Sequence, residues 1–330
     1  MMKVRNFLFI VLSMLSGLAC ASATLVSTAI VSDTVAMTKA SDKMVMTAPQ
    51  WCKRLVVRLP SVSQQMCERS ALTATGAYSQ RGFPLLARHI PAALPTLVSS
   101  GSAATKHVVG PKPLRVLLMG GIHGDELTSA SIVFRWMDMM PSAASSQFEW
   151  RVIPVVNPDG LLAKKAQRVN ANGVDLNRNF PTPGWQQDAP RYWAKRTRND
   201  PRRYPGAAPL SEPESRLVYD EMTHFHPDVI ISVHAPYGVL DFDGPDDPPH
   251  RFGRLRLNQV GVYPGSLGNY SGVHRNVPVI TIELPNAQKM PSQKEMQRIW
   301  RDMLRWIDDN VEPHQDGAIR SVSAAPVPNR

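Results

Sequence analysis

Four short apolar runs, each ending on polar residues, organise the middle of this 330-residue chain. Residues 114–119 lead through Gly120-Gly121 to His123, and residues 152–156 lead to Asn157 and Asp159. Residues 229–233 end on His234, and residues 279–282 end on Glu283. Short, continuous apolar runs predict strands buried on both faces, the pattern of a largely parallel sheet in an α/β protein. The polar ends then gather at the carboxyl edge of the sheet, where ligands of open α/β sheets bind. Residues 292–310 repeat apolar positions at helical spacing and predict a closing helix. Ser211-Glu212-Pro213-Glu214 has the spacing of a capping box, predicting a helix to about His224. Residues 91–113, rich in Pro, Ser and Ala, predict a surface loop. No internal repeat is present.

His123 and Glu126 stand three apart at a predicted strand-to-helix corner, where an imidazole and a carboxylate can grip one metal ion. A lone His-x-x-Glu arises often by chance, so the other strand ends decide its meaning. His234, presented abruptly by an apolar run, is the candidate third ligand. Such a set leaves one coordination position for water, which the ion acidifies into a nucleophile near neutral pH. A hydrolase is the chemistry this pattern suggests.

Six ordered stretches then resemble the zinc carboxypeptidases of the carboxypeptidase A type, and within them the branch of bacterial murein peptide amidases. They are Gly121-Ile122-His123-Gly124-Asp125-Glu126, Asn157-Pro158-Asp159-Gly160, Arg168-Val169-Asn170 leading into residues 173–180, Ser211-Glu212-Pro213-Glu214, Ser232-Val233-His234 and residues 280–285. The resemblance implies a three-layer α/β fold with a mixed, mostly parallel central sheet flanked by helices, opened by an edge hairpin over residues 76–90. It implies one Zn2+ ion held by His123, Glu126 and His234, with Asp175 orienting a ligand imidazole. Glu283 resembles the general base and acid, and Arg168 the residue that steadies the oxyanion. Asn177 and Arg178 match the pair that holds a substrate's terminal carboxylate. Tyr237 is a candidate pocket residue, and Tyr263 is the nearest candidate for the family's loop tyrosine, although its spacing to Gly265-Ser266 departs from the pattern. Asp125 stands where digestive carboxypeptidases usually have Arg, which favours the amidase branch. That branch implies peptidoglycan peptides as substrate, cleaved between γ-D-glutamate and meso-diaminopimelate.

Lys3 and Arg5 precede the apolar residues 7–18 and Ala21-Ser22-Ala23, the pattern of a secretory signal over residues 1–23 and of a periplasmic protein. Lipidation at Cys20 is the alternative, and Gly17 fits it poorly. No later stretch reads as a transmembrane helix. Residues 24–75 form an extension in which Cys52 and Cys67 either pair or remain buried thiols. A pair would add about 3 kcal/mol through loop entropy. The catalytic domain spans residues 76–311, and the Pro- and Ala-rich residues 312–330 form a tail predicted to be disordered.

The net charge of +10 favours anionic partners. Arg191, Lys195, Arg196, Arg198, Arg202 and Arg203, interleaved with Trp185, Tyr192 and Trp193, suit nucleic acid by composition. An exported metal hydrolase argues against that partner and for acidic wall material. Rival functions are a metallocarboxypeptidase of ordinary peptides, a deacylase of N-acyl amino acids and a non-catalytic wall-binding module.

Overall fold

The computed structural model describes residues 46–93 and 112–313. The predicted signal, Cys20, residues 24–45 of the predicted extension, most of the predicted loop at 91–113 and the tail from residue 314 lie outside the described residues. Two helices, α1 (Ala48–Arg58) and α2 (Gln64–Arg69), precede the hairpin β1 (Thr73–Tyr78) and β2 (Pro84–Ile90). Next come β3 (Arg115–Met119), α3 (Leu127–Met137), the single turn α4 (Ala143–Ser146), β4 (Glu149–Ile153) and the turn α5 (Pro158–Leu161). Helices α6 (Trp185–Arg196) and α7 (Pro213–Phe225) lead to β5 (Val229–His234) and β6 (Val239–Asp243). Two short strands, β7 (Arg251–Phe252) and β8 (Leu255–Leu257), a π-helical turn at Gly268–Val273, β9 (Val279–Glu283) and α8 (Gln293–Asn310) complete the order.

These strands form one mixed sheet, β1-β2-β4-β3-β5-β9-β6-β8-β7. Its centre, β4-β3-β5-β9, is parallel throughout, so four carboxyl ends share one edge. Both faces of this centre are covered. Val116 and Leu118 join the core under α1, α2, α3 and α8, whereas Leu117 and Met119 join the opposite core with Leu217, Val218 and Met222 of α7. Burial of alternate residues on opposite faces is why these strands lack polar alternation. Helix α8 buries Met296, Ile299, Trp300, Met303, Leu304 and Ile307, one stripe at helical spacing. Trp300 stacks between Trp136 and Trp150, with ring centroids 5.6 and 5.3 Å away.

The hairpin that the resemblance implies over residues 76–90 is present but starts three residues earlier, at Thr73, and the closing helix and three of the central strands fall where the residue pattern predicts them. The fourth strand does not: β4 ends at Ile153 rather than continuing to Val156. Pro154 lacks the amide that the ladder needs, so the regular register ends there, although Val156 and Asn157 still donate to Gly120 O and Gly121 O and both valines stay buried. The predicted capping box is also absent. Helix α7 starts at Pro213 with Glu212 as its N-cap, and the Ser211 hydroxyl instead donates to Glu212 Oε1 and accepts from Asn179 Nδ2. The basic segment is largely helical rather than a loop. Trp185 and Ala189, four apart, are both buried, and that anchoring holds α6 through Pro190.

Residues 46–75 contribute Trp51, Leu55, Leu59 and Met66 to the same core as α3 and α8. Cys52 and Cys67 are disulfide-bonded, which ties α1 to α2.

Glu214, the second residue of α7, is fully buried. Its Oε2 accepts from Asn170 Nδ2 at 3.1 Å, while Oε1 has no partner. Burial pushes its carboxyl up to about 7, with Asp159 and Glu212 adding to the rise. The folded chain therefore keeps a proton that the unfolded chain loses near pH 4.5. Stability present below that value is lost as pH rises towards 7, by at most about 3 kcal/mol. Glu214→Gln, which retains a partner for Asn170, is expected to flatten the decline in unfolding free energy between pH 5 and 8. Identical slopes in the two proteins would remove Glu214 as its source.

Candidate metal centre and cleft

The turn after β3 presents the first two candidate ligands. Gly121 has a φ of +60°, and at Gly124 any side chain would run into the backbone of Gly160 and Leu161. That close approach welds the His123 loop to α5. Asn157 completes the weld, accepting from Gly160 N and donating to Arg168 O at 2.8 and 3.1 Å. Asp159 accepts from Ser79 Oγ and the Arg81 amide. Asn157 and Asp159 therefore sit at the predicted edge as fully buried struts, outside the cleft.

His123, Glu126 and His234 converge, with one ligand atom from each lying within 4.8 Å of the others. His123 Nε2 lies 3.0 Å from Asp175 Oδ1, and His234 Nε2 lies 3.0 Å from Ser232 Oγ. If each Nε2 carries the proton donated to its oxygen partner, each Nδ1 presents a lone pair inward. The two Nδ1 atoms are 3.2 Å apart, at 2.8 and 3.2 Å from the Glu126 oxygens. Acceptors packed this tightly repel one another unless a cation lies among them. Two neutral imidazoles and a carboxylate are also a donor set that zinc accepts, so the residues fit the ion that the motif suggests. The three groups are also electrostatically coupled. Burial alone would raise the Glu126 pKa, yet His123 and His234 hold it well below the carboxylate range. Burial opposes charge on His234, and the Glu126 carboxylate outweighs it and raises that pKa.

Glu283 stands directly opposite His234 in the β5–β9 register. Burial raises its pKa and nearby Glu126 adds to the rise, with His234 and the Tyr237 amide opposing it. Arg168 is buried, with Nε and Nη2 each 3.0 Å from Asp175 Oδ2 and Nη1 3.5 Å from Glu126 Oε1. Asp175 is fully buried, and Arg168 and His123 overcome the effect of burial to hold it well below its ordinary range.

Arg178 is 6% exposed, and its Nε is buried without a hydrogen-bond partner. Its guanidinium lies 4.4 Å from the Tyr263 ring centroid. Burial, reinforced by Arg168 and Arg203, lowers its pKa. Asn177 Oδ1 accepts from the Leu267 amide at 2.8 Å, which leaves its NH2 for a ligand. Tyr263 donates its hydroxyl to Val260 O, so its ring serves as a shelf for Arg178. Tyr237 is 59% exposed at the rim.

All the site residues predicted above line one cleft of about 510 Å³ except Asp175, which sits behind it. Five charged lining residues were not picked out as site residues: Lys165, Arg202, Arg203, Asp241 and Asp243. Arg202 reaches Asp125, Nη2 to Oδ2 at 2.9 Å. The two arginines belong to the basic segment already noted. The two aspartates alternate with Leu240 and Phe242, a polar face on a strand otherwise apolar.

Comparison with known proteins agrees with this geometry. A family model described as zinc carboxypeptidase matches residues 96–242. Murein peptide amidase A of Escherichia coli K12 is 30% identical over 202 residues, covering 58% of this chain and 79% of that protein. Its namesake from Vibrio campbellii is 31% identical over 183 residues, covering 52% and 69%. The crystal structure of thrombin activatable fibrinolysis inhibitor shares the fold at a TM-score of 0.54 and 17% identity, covering 78% of this chain and 70% of that one. With its candidate ligand triad converged and relatives aligned over most of their length, the chain belongs to the zinc carboxypeptidase family.

Proposed function

We propose that this chain is an exported, zinc-dependent amidase of peptidoglycan peptides, cleaving the bond between γ-D-glutamate and meso-diaminopimelate. The observation that carries the reading is a single cleft where a metal-type triad, a strand-end carboxylate and a buried guanidinium face one another. The relatives named murein peptide amidase A support the substrate class. The leader-like residues 1–23 support export.

His123, Glu126 and His234 would hold the ion, which supplies Lewis acidity at the cleft floor when bound. Glu283 takes a proton from the attacking water and returns it to the nitrogen of the leaving residue. Its raised pKa suits both halves of that task. Arg168, locked by Asp175, presents fixed positive charge to the oxyanion that develops on the scissile carbonyl. Arg178 and Asn177 receive the free carboxylate of the leaving residue. A carboxypeptidase acting on ordinary peptides would use the same Arg178 contact, so product analysis on both substrate classes separates the two.

Purified protein incubated with L-alanyl-γ-D-glutamyl-meso-diaminopimelate is expected to release free diaminopimelate, detected by mass spectrometry. Glu283→Gln is expected to lower kcat by about 10²- to 10⁴-fold while zinc content by metal analysis stays at the wild-type level. Equal turnover by that variant would discard the proposed base. His234→Ala is expected to abolish zinc retention through gel filtration, and full retention would dissolve the triad. Arg178→Ala is expected to reduce kcat/KM by roughly 10- to 100-fold. An unchanged value would place the carboxylate elsewhere.

A further inference from the structure

Two carboxylates in the cleft have no part in the chemistry above. Asp241 and Asp243 are alternate residues of β6, so both side chains leave the same face of the strand, and both line the cleft with Glu283 and Arg178. Asp241 is 5% exposed. Its Oδ1 accepts the amides of Phe242 and Val260, each at 3.0 Å, and Oδ2 has no hydrogen bond among the described residues. Asp243 packs against Gly268 and Gly272, where any side chain would collide with it. Among the described residues no cation and no hydrogen bond supports its carboxylate. Burial, with Asp241 adding to it, pushes Asp243 up to about 7, and burial also raises Asp241.

Among the described residues only His234 offsets the charge of Asp241 and no cation offsets Asp243, so burying the pair is costly, and a ligand that brings a cation relieves that cost. Elsewhere in the same cleft Arg178, nine-tenths buried with an unpartnered Nε, has as its nearby anion only Asp175, which Arg168 and His123 already engage. A cleft that needs a cation at one place and an anion at another matches an amino acid bearing a carboxylate and, further along, an amine.

We propose that Asp241 and Asp243 form an ammonium-binding subsite that selects a leaving residue with a side-chain amine, as in a diamino acid. The inference rests on the proposed reading of the cleft as one that releases a residue with a free carboxylate. Arg178 holds that carboxylate, and the side chain extends along the cleft to place its ammonium between the two aspartates. The geometry favours an amine over a second metal ion, because Asp241 Oδ1 is committed to two backbone amides and no imidazole joins the pair.

The test uses the zinc-loaded full chain and two tripeptides, one ending in meso-diaminopimelate and the other in 2-aminopimelate, which keeps both carboxylates and lacks the side-chain amine. Wild type is expected to prefer the amine-bearing peptide by about 10- to 100-fold in kcat/KM, mostly through KM. Asp243→Asn, the isosteric change, and separately Asp241→Asn are expected to bring that ratio towards one, with thermal unfolding confirming that each variant folds. A wild-type ratio near one, or a wild-type ratio kept by both variants, overturns the subsite. If wild type cleaves neither tripeptide but trims ordinary peptides, the wall-peptide reading falls. The subsite is then judged by the same ratio on peptides ending in lysine and norleucine. If nothing is cleaved, calorimetric titration with free meso-diaminopimelate and free 2-aminopimelate decides. Tighter binding of the former, lost in Asp243→Asn, upholds the subsite, and equal affinities overturn it.

Discussion

The cleft depends on one buried carboxylate. Asp175 takes the His123 imidazole on one oxygen and the Arg168 guanidinium on the other, and it also receives the Asn177 amide. An isolated charge so deep would be intolerable, and here three donors and two nearby cations compensate it. The same bonds determine which nitrogen of His123 faces Glu126, how Arg168 is aimed and where the Asn177-Arg178 turn begins. The candidate metal ligands and the groups proposed to meet the oxyanion and the substrate carboxylate are thus coupled through a single residue that lines no part of the cleft.

Around Asp175 the scaffold is built to prevent drift. Parallel pairing of β4, β3, β5 and β9 places His123, His234 and Glu283 at one edge, with His234 and Glu283 opposite each other in register. Gly124 lies against Gly160, and Asn157 bonds both Gly160 and Arg168, which joins the metal loop to the arginine loop. Asn170 then ties that loop to Glu212 and Glu214 at the start of α7. Several motif residues that look chemical in the linear chain are therefore struts. Their polar groups satisfy buried backbone and side-chain partners, as buried polar atoms must.

Charge across the cleft is divided rather than uniform. Arg178 and Arg203 reinforce each other's field, Arg202 answers Asp125, Asp241 has His234 for a partial offset, and Asp243 stands without a cation among the described residues. A strongly basic chain thus contains an acidic recess, which a net charge conceals because it sums groups whose effects are local once water is excluded.

Much of this was readable from residue order. The apolar runs marked the central strands because a strand covered on both faces needs nothing else, and α8 announced itself by its 3.6-residue stripe. Strand ends and spacing pointed to His123, Glu126 and His234 as candidate ligands, whereas the roles of Glu283, Arg168 and Arg178 came from the resemblance of their motifs to the family. What spacing could not convey was partnership. Ser211 looks like a helix cap until Glu212 and Asn179 claim its hydroxyl, and residues 155–156 look like regular strand until Pro154, which has no amide to donate, interrupts the register. Asp241 and Asp243 look like ordinary solvent-facing strand residues until packing withdraws water and supplies no counter-ion. Covalent neighbours govern the element a residue joins. The charge it feels and the partner it finds depend on side chains brought close from distant parts of the chain, which folding alone assembles.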